Sequence, residues 1–99
     1  GVDLWMDDIP VDVKFTNEEH GPLIFDTMQK FRAEIAILVG RTEDEDVMSI
    51  NGWVTRKEFK DNARKHDFGY GGRLFMGHTE MKPIETLWLF LAEKKWGIE

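Results

Sequence analysis

The alternation of hydrophobic and polar residues predicts a β-hairpin at the start of the chain. Its sequence, VDLWMDDIPVDVKFT, covers residues 2–16, with a tight turn at residues 7–8. Strand side chains alternate between faces, so one face of this hairpin is apolar throughout. The other face carries Asp3, Asp12 and Lys14. Counting outward from the turn places Asp3 directly opposite Asp12.

Two apolar segments follow the hairpin. Ile24, Met28 and Phe31 are spaced for one face of a helix from about 22 to 32, although an extended conformation of the LIF stretch also fits. The run 33–40 could continue that helix. A buried strand is preferred, because a run that is apolar on both faces suits the middle of a sheet.

The second half of the chain predicts a strand at 47–54, after a charged turn, and another at 73–76. Between them, Thr55 and Glu58 form a capping-box pattern that opens a helix to about Lys65.

The last predicted element is a C-terminal helix. It starts at Pro83 and ends at Gly97. Its apolar stripe is predicted to contain Ile84, Leu87, Trp88 and Leu91. The chain as a whole, residues 1–99, is predicted to be a single α/β domain with a mixed central β-sheet and flanking helices.

Composition and charge narrow the classes of function. The chain has 99 residues, no cysteine and a net charge of −6, so any metal must be held by oxygen or histidine. There is no apolar run of transmembrane length and no leader, which predicts a soluble cytoplasmic protein without a membrane partner. Residues 1–50 carry twelve acidic and four basic side chains, and residues 51–99 carry seven acidic and nine basic ones. The second half could therefore hold nucleic acid.

The charged face of the hairpin is the main candidate for chemistry. Paired residues on an antiparallel ladder have Cβ atoms about 5 Å apart, so Asp3 and Asp12 could share one Mg²⁺ or Mn²⁺ ion. Lys14, two residues further on the same face, could stabilise developing negative charge. A polar outer face exposed to water explains the same residues, and the spacing alone favours that interpretation.

The hairpin GVDLWMDDIPVDVKFT resembles the active-site hairpin of the PD-(D/E)XK nuclease superfamily, the restriction-endonuclease-like fold. In that family an aspartate begins one strand and an acidic-x-lysine motif lies on the next. The resemblance implies that Asp3, Asp12 and Lys14 are catalytic and that Asp3 and Asp12 bind the metal. The segments SINGWVTRKEF, DFGYGGRLFM and KPIETL are similar in order to those of small phage or mobile-element members, which implies a cytoplasmic, phage-type protein.

This chain departs from the family pattern in three ways. It has no clear Gln-x-x-x-Tyr element, since Gln29 is followed four residues later by Ala33. Val2 stands where the family usually has proline. The family fold also begins with a helix and a strand ahead of the first aspartate, and no counterpart precedes Asp3. We therefore expect a restriction-endonuclease-like core that lacks its N-terminal helix, in a chain that is truncated, is one piece of a larger protein or has lost its activity.

A basic cluster is the candidate contact with DNA. Lys57, Lys60 and Arg64 share one face of the predicted helix, and Lys65 and Arg73 lie nearby. A solvated helix face is about equally consistent with these residues. The three histidines are scattered and share no metal-ligand spacing, which favours surface positions.

The C-terminal helix carries more aromatic area than one core-facing stripe needs, in Trp88, Phe90 and Trp96. Part of it could form a partner surface or a homodimer contact.

The sequence therefore predicts a Mg²⁺- or Mn²⁺-dependent endonuclease that hydrolyses DNA phosphodiester bonds. The alternative is a non-catalytic module that binds DNA or protein on the same scaffold. A third class, an acidic mimic of nucleic acid, would rest on the negatively charged first half.

Overall fold

The computed structural model describes residues 2–67, 69 and 71–97. In order, the strands and α-helices are β1 (Leu4–Met6), β2 (Ile9–Thr16), β3 (Leu23–Phe25), β4 (Ile35–Arg41), β5 (Met48–Thr55), α1 (Arg56–Asn62), β6 (Arg64–Asp67), β7 (Gly72–Met76) and α2 (Leu87–Trp96). Single 3₁₀ turns occur at Met28–Lys30, His78–Glu80 and Ile84–Thr86.

The main sheet has the strand order β1-β2-β4-β5. Strand β2 is antiparallel to β1 and parallel to β4, and β4 is antiparallel to β5. The sheet is therefore mixed, as predicted. A second, antiparallel sheet has the order β3-β7-β6 and supplies a layer that the sequence interpretation did not include.

Strand β4 confirms the interpretation of the apolar run at 33–40. It lies between β2 and β5, and its residues 35–40 are all buried. Ile35 and Ile37 pack with Trp53 and with Leu87 of α2 on one face. Ala36 and Leu38 belong to the opposite core, with Phe59 of α1 and residues of the second sheet. The main sheet is thus covered on both faces.

The predicted helix from 22 to 32 is wrong. Residues 23–25 form β3, which pairs with β7, and only Met28–Lys30 makes a helical turn, of 3₁₀ type. Leu23 and Phe25 are buried while Ile24 is only partly buried, which is the period of a strand. The Phe25 and Phe31 rings stack with centroids 4.5 Å apart, and this contact closes the segment onto the core.

The helix predicted from the capping box exists but is shorter than expected. The Thr55 hydroxyl accepts the Glu58 backbone N–H, and the Glu58 side chain accepts the Thr55 backbone N–H, as the pattern predicts. Helix α1 ends at Asn62, and residues 64–67 form strand β6, so the continuation to Lys65 is wrong. Pairing of β6 with β7 competes with the helix for these residues.

Helix α2 confirms the predicted C-terminal helix over Leu87–Trp96, but its predicted start at Pro83 is wrong. A 3₁₀ turn follows Pro83, and Gly97 ends the helix in the left-handed conformation with a φ of 65°. Leu87 is buried in the core, but Trp88 is 64% exposed and does not belong to the buried stripe. No helix in residues 2–67, 69 and 71–97 is long and apolar enough to span a membrane.

Candidate functional site

The register of the first hairpin agrees with the sequence interpretation. Met6 pairs with Ile9, Trp5 with Pro10 and Leu4 with Val11. The turn between the strands uses Asp7 and Asp8, both at positive φ, a conformation that aspartate tolerates better than most residues. Extending this register by one residue brings Asp3 opposite Asp12.

Asp3 is fixed to strand β2 by two hydrogen bonds. Its backbone N–H donates to the carbonyl of Val11 at 2.9 Å, and its Oδ2 accepts the backbone N–H of Val13 at 2.8 Å. The Val13 N–H and a hydrogen bond shared with the Asp12 carboxyl group lower the pKa of Asp3. Asp3 is therefore the partner of the pair that ionises more easily.

Asp12, on strand β2, is buried. It is 1% exposed, whereas its neighbour Asp3 is at the surface. It pairs with Ala36 across the parallel ladder, on the face covered by the second sheet and α1. A solvated outer face is therefore wrong for this residue. Burial, and next the hydrogen bond with Asp3, raise the pKa of Asp12.

Lys14 lies close to Asp12, and its charge partly offsets the effect of burial on the pKa of Asp12. The Lys14 ammonium is 3.4 Å from Asp12 Oδ2, and its charge acts to lower the pKa of Asp12. The same ammonium lies 5.0 Å from the centroid of the Phe25 ring. Strand β3 therefore forms one wall of the site, while the Lys14 side chain is 36% exposed.

The donor set of this site consists of two carboxylates. Within the described part of the chain, no group of three or more histidine, aspartate and glutamate side chains could hold a metal ion. Mg²⁺ commonly takes only one or two carboxylates from the protein and fills its remaining positions with water and substrate phosphate. Asp3 and Asp12 therefore fit the chemistry of a magnesium or manganese site.

The basic cluster predicted as the contact with DNA is divided between two regions. Arg64 pairs with Glu80 through Nη2 and Oε2 at 2.6 Å, and Arg73 pairs with Asp26 at 3.1 Å. Lys65 lies on β6, where its side chain packs against Gly72. Because α1 ends before these residues, Arg64 does not share a helical face with Lys57 and Lys60, and that prediction is wrong.

Lys57 and Lys60 line a cleft with residues that come from elsewhere in the chain. Arg32 and Lys94 also line it, as does Arg56 at the start of α1. The sequence interpretation did not identify Arg32 or Lys94. They are far from α1 in the sequence, and no local spacing connects them to it.

Two histidines that are far apart in the sequence are in contact, and no spacing in the sequence predicts this. The rings of His20 and His78 stack with centroids 4.8 Å apart, which joins the loop after β2 to the 3₁₀ turn after β7. His66 contacts the Phe75 ring on the neighbouring strand.

Comparisons with known proteins give no relative: no protein-family model, curated protein or solved structure matches the chain.

Proposed function

We propose that this protein is a metal-dependent deoxyribonuclease of the restriction-endonuclease-like class, which hydrolyses DNA phosphodiester bonds at Asp3, Asp12 and Lys14. The observation that carries the proposal is the carboxyl pair on β1 and β2, whose Asp12 is 1% exposed and lies 3.4 Å from Lys14. Burying an aspartate costs free energy, so a buried aspartate with a raised pKa is a candidate for a functional group.

The pair has the chemistry that a hard divalent cation requires. Asp3 and Asp12 would hold the ion between the two strands, with Mg²⁺ or Mn²⁺ as the candidates. When bound, such a cation polarises phosphoryl oxygens and lowers the pKa of an attacking water. The hydrogen bond from Val13 to Asp3 fixes one of the two carboxylates in place before any ligand arrives.

Lys14 would act on the substrate side of the site. Its ammonium is close to Asp12 and is also partly accessible to solvent, so it can approach a phosphate oxygen. There it stabilises the negative charge that grows on the phosphoryl group in the transition state. The nearby Phe25 ring favours this position, because a cation is attracted to the face of an aromatic ring.

The alternative is a non-catalytic module on the same scaffold that binds DNA or protein. The exposed aromatic residues of α2 favour it: Trp88 and Trp96 are 64% and 67% exposed. In the nuclease, the same surface would serve as a homodimer contact that brings two sites to the two strands of DNA. A cytoplasmic location belongs to both proposals.

Metal dependence separates the two functions. The purified chain is incubated with supercoiled plasmid in Mg²⁺, in Mn²⁺ or in EDTA, together with the variants Asp12→Asn and Lys14→Ala. The nuclease proposal predicts nicking in either metal, none in EDTA, and a loss of about 100-fold or more in each variant.

Matched controls are available on the same hairpin and nearby. Asp8→Asn makes the same chemical change at the turn, where a positive φ of 66° is also tolerated by asparagine. Lys30→Ala removes a surface lysine from the first 3₁₀ turn. Both controls should cut at the wild-type rate. Binding of DNA without cleavage in any metal would favour the non-catalytic module.

A further inference from the structure

A cleft of about 610 Å³ opens where β2 and β4 begin and β5 ends. Its walls come from the first turn of α1, the segment before β4, Pro10 of β2 and Phe90 of α2. Asp3, Asp12 and Lys14 do not line it. The cleft is therefore a feature separate from the carboxylate pair.

The lining of the cleft is strongly basic, although the whole chain has a net charge of −6. Five of its side chains are cationic: Arg32, Arg56, Lys57, Lys60 and Lys94. Glu34 supplies one carboxylate in the lining. A concentration of positive charge in a concave surface focuses the electrostatic potential and attracts anions.

Only part of this positive charge is neutralised within the protein. Glu34 binds Lys94 at 2.7 Å, and Asp61 binds Lys57 at 2.8 Å. Within residues 2–67, 69 and 71–97, Arg32 and Lys60 form no ion pair with a carboxylate. A bound anion would remove the repulsion among these cations.

Arg56 is held in an orientation suited to an oxyanion. Its Nε donates to the carbonyl of Phe31 at 2.8 Å, and its backbone N–H donates to the carbonyl of Glu34 at 2.9 Å. Its guanidinium makes no other hydrogen bond with the described residues, so its two terminal amino groups remain for a ligand. A planar guanidinium can bind phosphate through two parallel hydrogen bonds.

We propose that this cleft binds phosphate groups, and that these belong to the backbone of the nucleic acid on which the carboxylate pair acts. The assignment to nucleic acid rests on the proposed function, whereas the binding of phosphate does not. The volume lies within the range of about 300–1,000 Å³ that is typical of ligand sites. Pro10 in the lining is only two residues from Asp12, roughly 7 Å along strand β2. A strand of DNA held in the cleft can thus continue toward Asp12.

The test uses a pair of double variants with the same change in charge. Arg32→Gln with Lys60→Gln removes two cleft cations that make no ion pair within the described residues. The control, Lys30→Gln with Arg41→Gln, removes two exposed cations outside the cleft. Binding of a fluorescein-labelled DNA duplex is measured by anisotropy in EDTA, where metal-dependent cleavage does not interfere. Thermal melts check that both variants are folded.

The proposal predicts that the cleft variant binds the duplex roughly tenfold or more weakly than the control variant. Its plot of log K against log salt concentration should also be shallower than that of the control by about two, since each phosphate contact contributes about 0.9. Equal affinities and slopes in the two variants would overturn the proposal.

Inorganic triphosphate, titrated by calorimetry, distinguishes a nucleic-acid backbone from a small phosphate ester. Binding of triphosphate without binding of the duplex would assign the cleft to a soluble phosphate compound and overturn the assignment to nucleic acid.

Cleavage is scored separately from binding. One outcome is that the cleft variant loses duplex binding while the wild type cleaves DNA in no metal. That result would support phosphate binding in the cleft and would contradict the proposed nuclease function. Cleavage that depends on Asp12, together with equal binding by the two double variants, would contradict phosphate binding in the cleft and leave the proposed nuclease function standing.

Discussion

Lys14 and Asp12 form an ion pair at 3.4 Å, in which the aspartate side chain is 2% exposed and the lysine side chain is 36% exposed. The two residues share one strand face, but the second sheet and α1 bury the aspartate while the lysine extends to the solvent. This arrangement produces a carboxylate that is costly to ionise next to a cation that can meet a ligand.

Asp12→Asn should stabilise the folded protein at neutral pH. Burial raises the pKa of Asp12, so ionisation costs folding free energy as the pH rises through that raised pKa. Asparagine has nearly the same shape and carries no charge. We expect the variant to melt a few degrees above the wild type at about pH 7, with the difference shrinking as the pH falls to the ordinary aspartate value of 3.8 and below. A lower melting temperature for the variant at neutral pH would contradict this account of Asp12.

Lys14→Ala should separate metal binding from catalysis. The Lys14 charge lowers the pKa of Asp12, so its removal should move the onset of Mn²⁺ binding to higher pH. At about pH 8 the variant should bind Mn²⁺ at least as tightly as the wild type, because a nearby positive charge is gone. DNA cleavage should fall by about 100-fold or more at the same pH. Loss of Mn²⁺ binding at high pH would instead assign Lys14 a structural role.

Glu80→Gln should reduce stability in a manner that depends on pH. The Arg64 guanidinium binds both carboxylate oxygens of Glu80, at 2.7 and 2.6 Å, and together with the backbone N–H of Gly77 it lowers the pKa of Glu80 to about 2. A depressed pKa contributes stability above the ordinary value of 4.5, and that contribution disappears as the pH falls toward 2. The pair is largely exposed, so we expect a loss of a few degrees at most at about pH 7. The difference between variant and wild type should shrink steadily as the pH falls from 4.5 through about 2, and a difference that stays constant over this range would contradict the assignment.

Gly52→Ala should destabilise the protein more than the matched change Gly69→Ala. Both glycines have positive φ, 146° and 99°. An added Cβ at Gly52 would lie 2.6 Å from Met81 Cβ and 2.7 Å from the Lys82 carbonyl oxygen, whereas at Gly69 it would meet nothing within 4 Å. We expect a loss of more than about 2 kcal/mol at Gly52 and of roughly 1 kcal/mol at Gly69. Urea unfolding measures both, and equal losses would mean that the Met81 segment moves aside freely.

Local patterns in the sequence predicted the elements in which neighbouring residues decide the structure. The hairpin register, the capping box at Thr55 and Glu58 and the glycine end of α2 all depend on residues within a few positions of one another. The apolar run at 33–40 likewise predicts a central strand, because a strand that is apolar on both faces must be covered on both.

Contacts between distant segments could not be predicted in the same way. The stretch 22–32 has helical spacing, but pairing of β3 with β7 and stacking of Phe25 on Phe31 outweigh it. The same second sheet buries Asp12, so the sequence correctly placed the residue opposite Asp3 but gave no sign of its burial. The cleft that contains Arg32 and Lys94 likewise exists only after the chain has folded.

The most direct test of the central claim is a calorimetric titration of the folded chain with Mn²⁺, comparing the wild type with Asp12→Asn and the control Asp8→Asn. The account predicts saturable binding in the wild type and in Asp8→Asn, weaker as the pH falls, and no such binding in Asp12→Asn. Equal binding in all three proteins, or no saturable binding by the folded wild type, would contradict a metal site at Asp3 and Asp12.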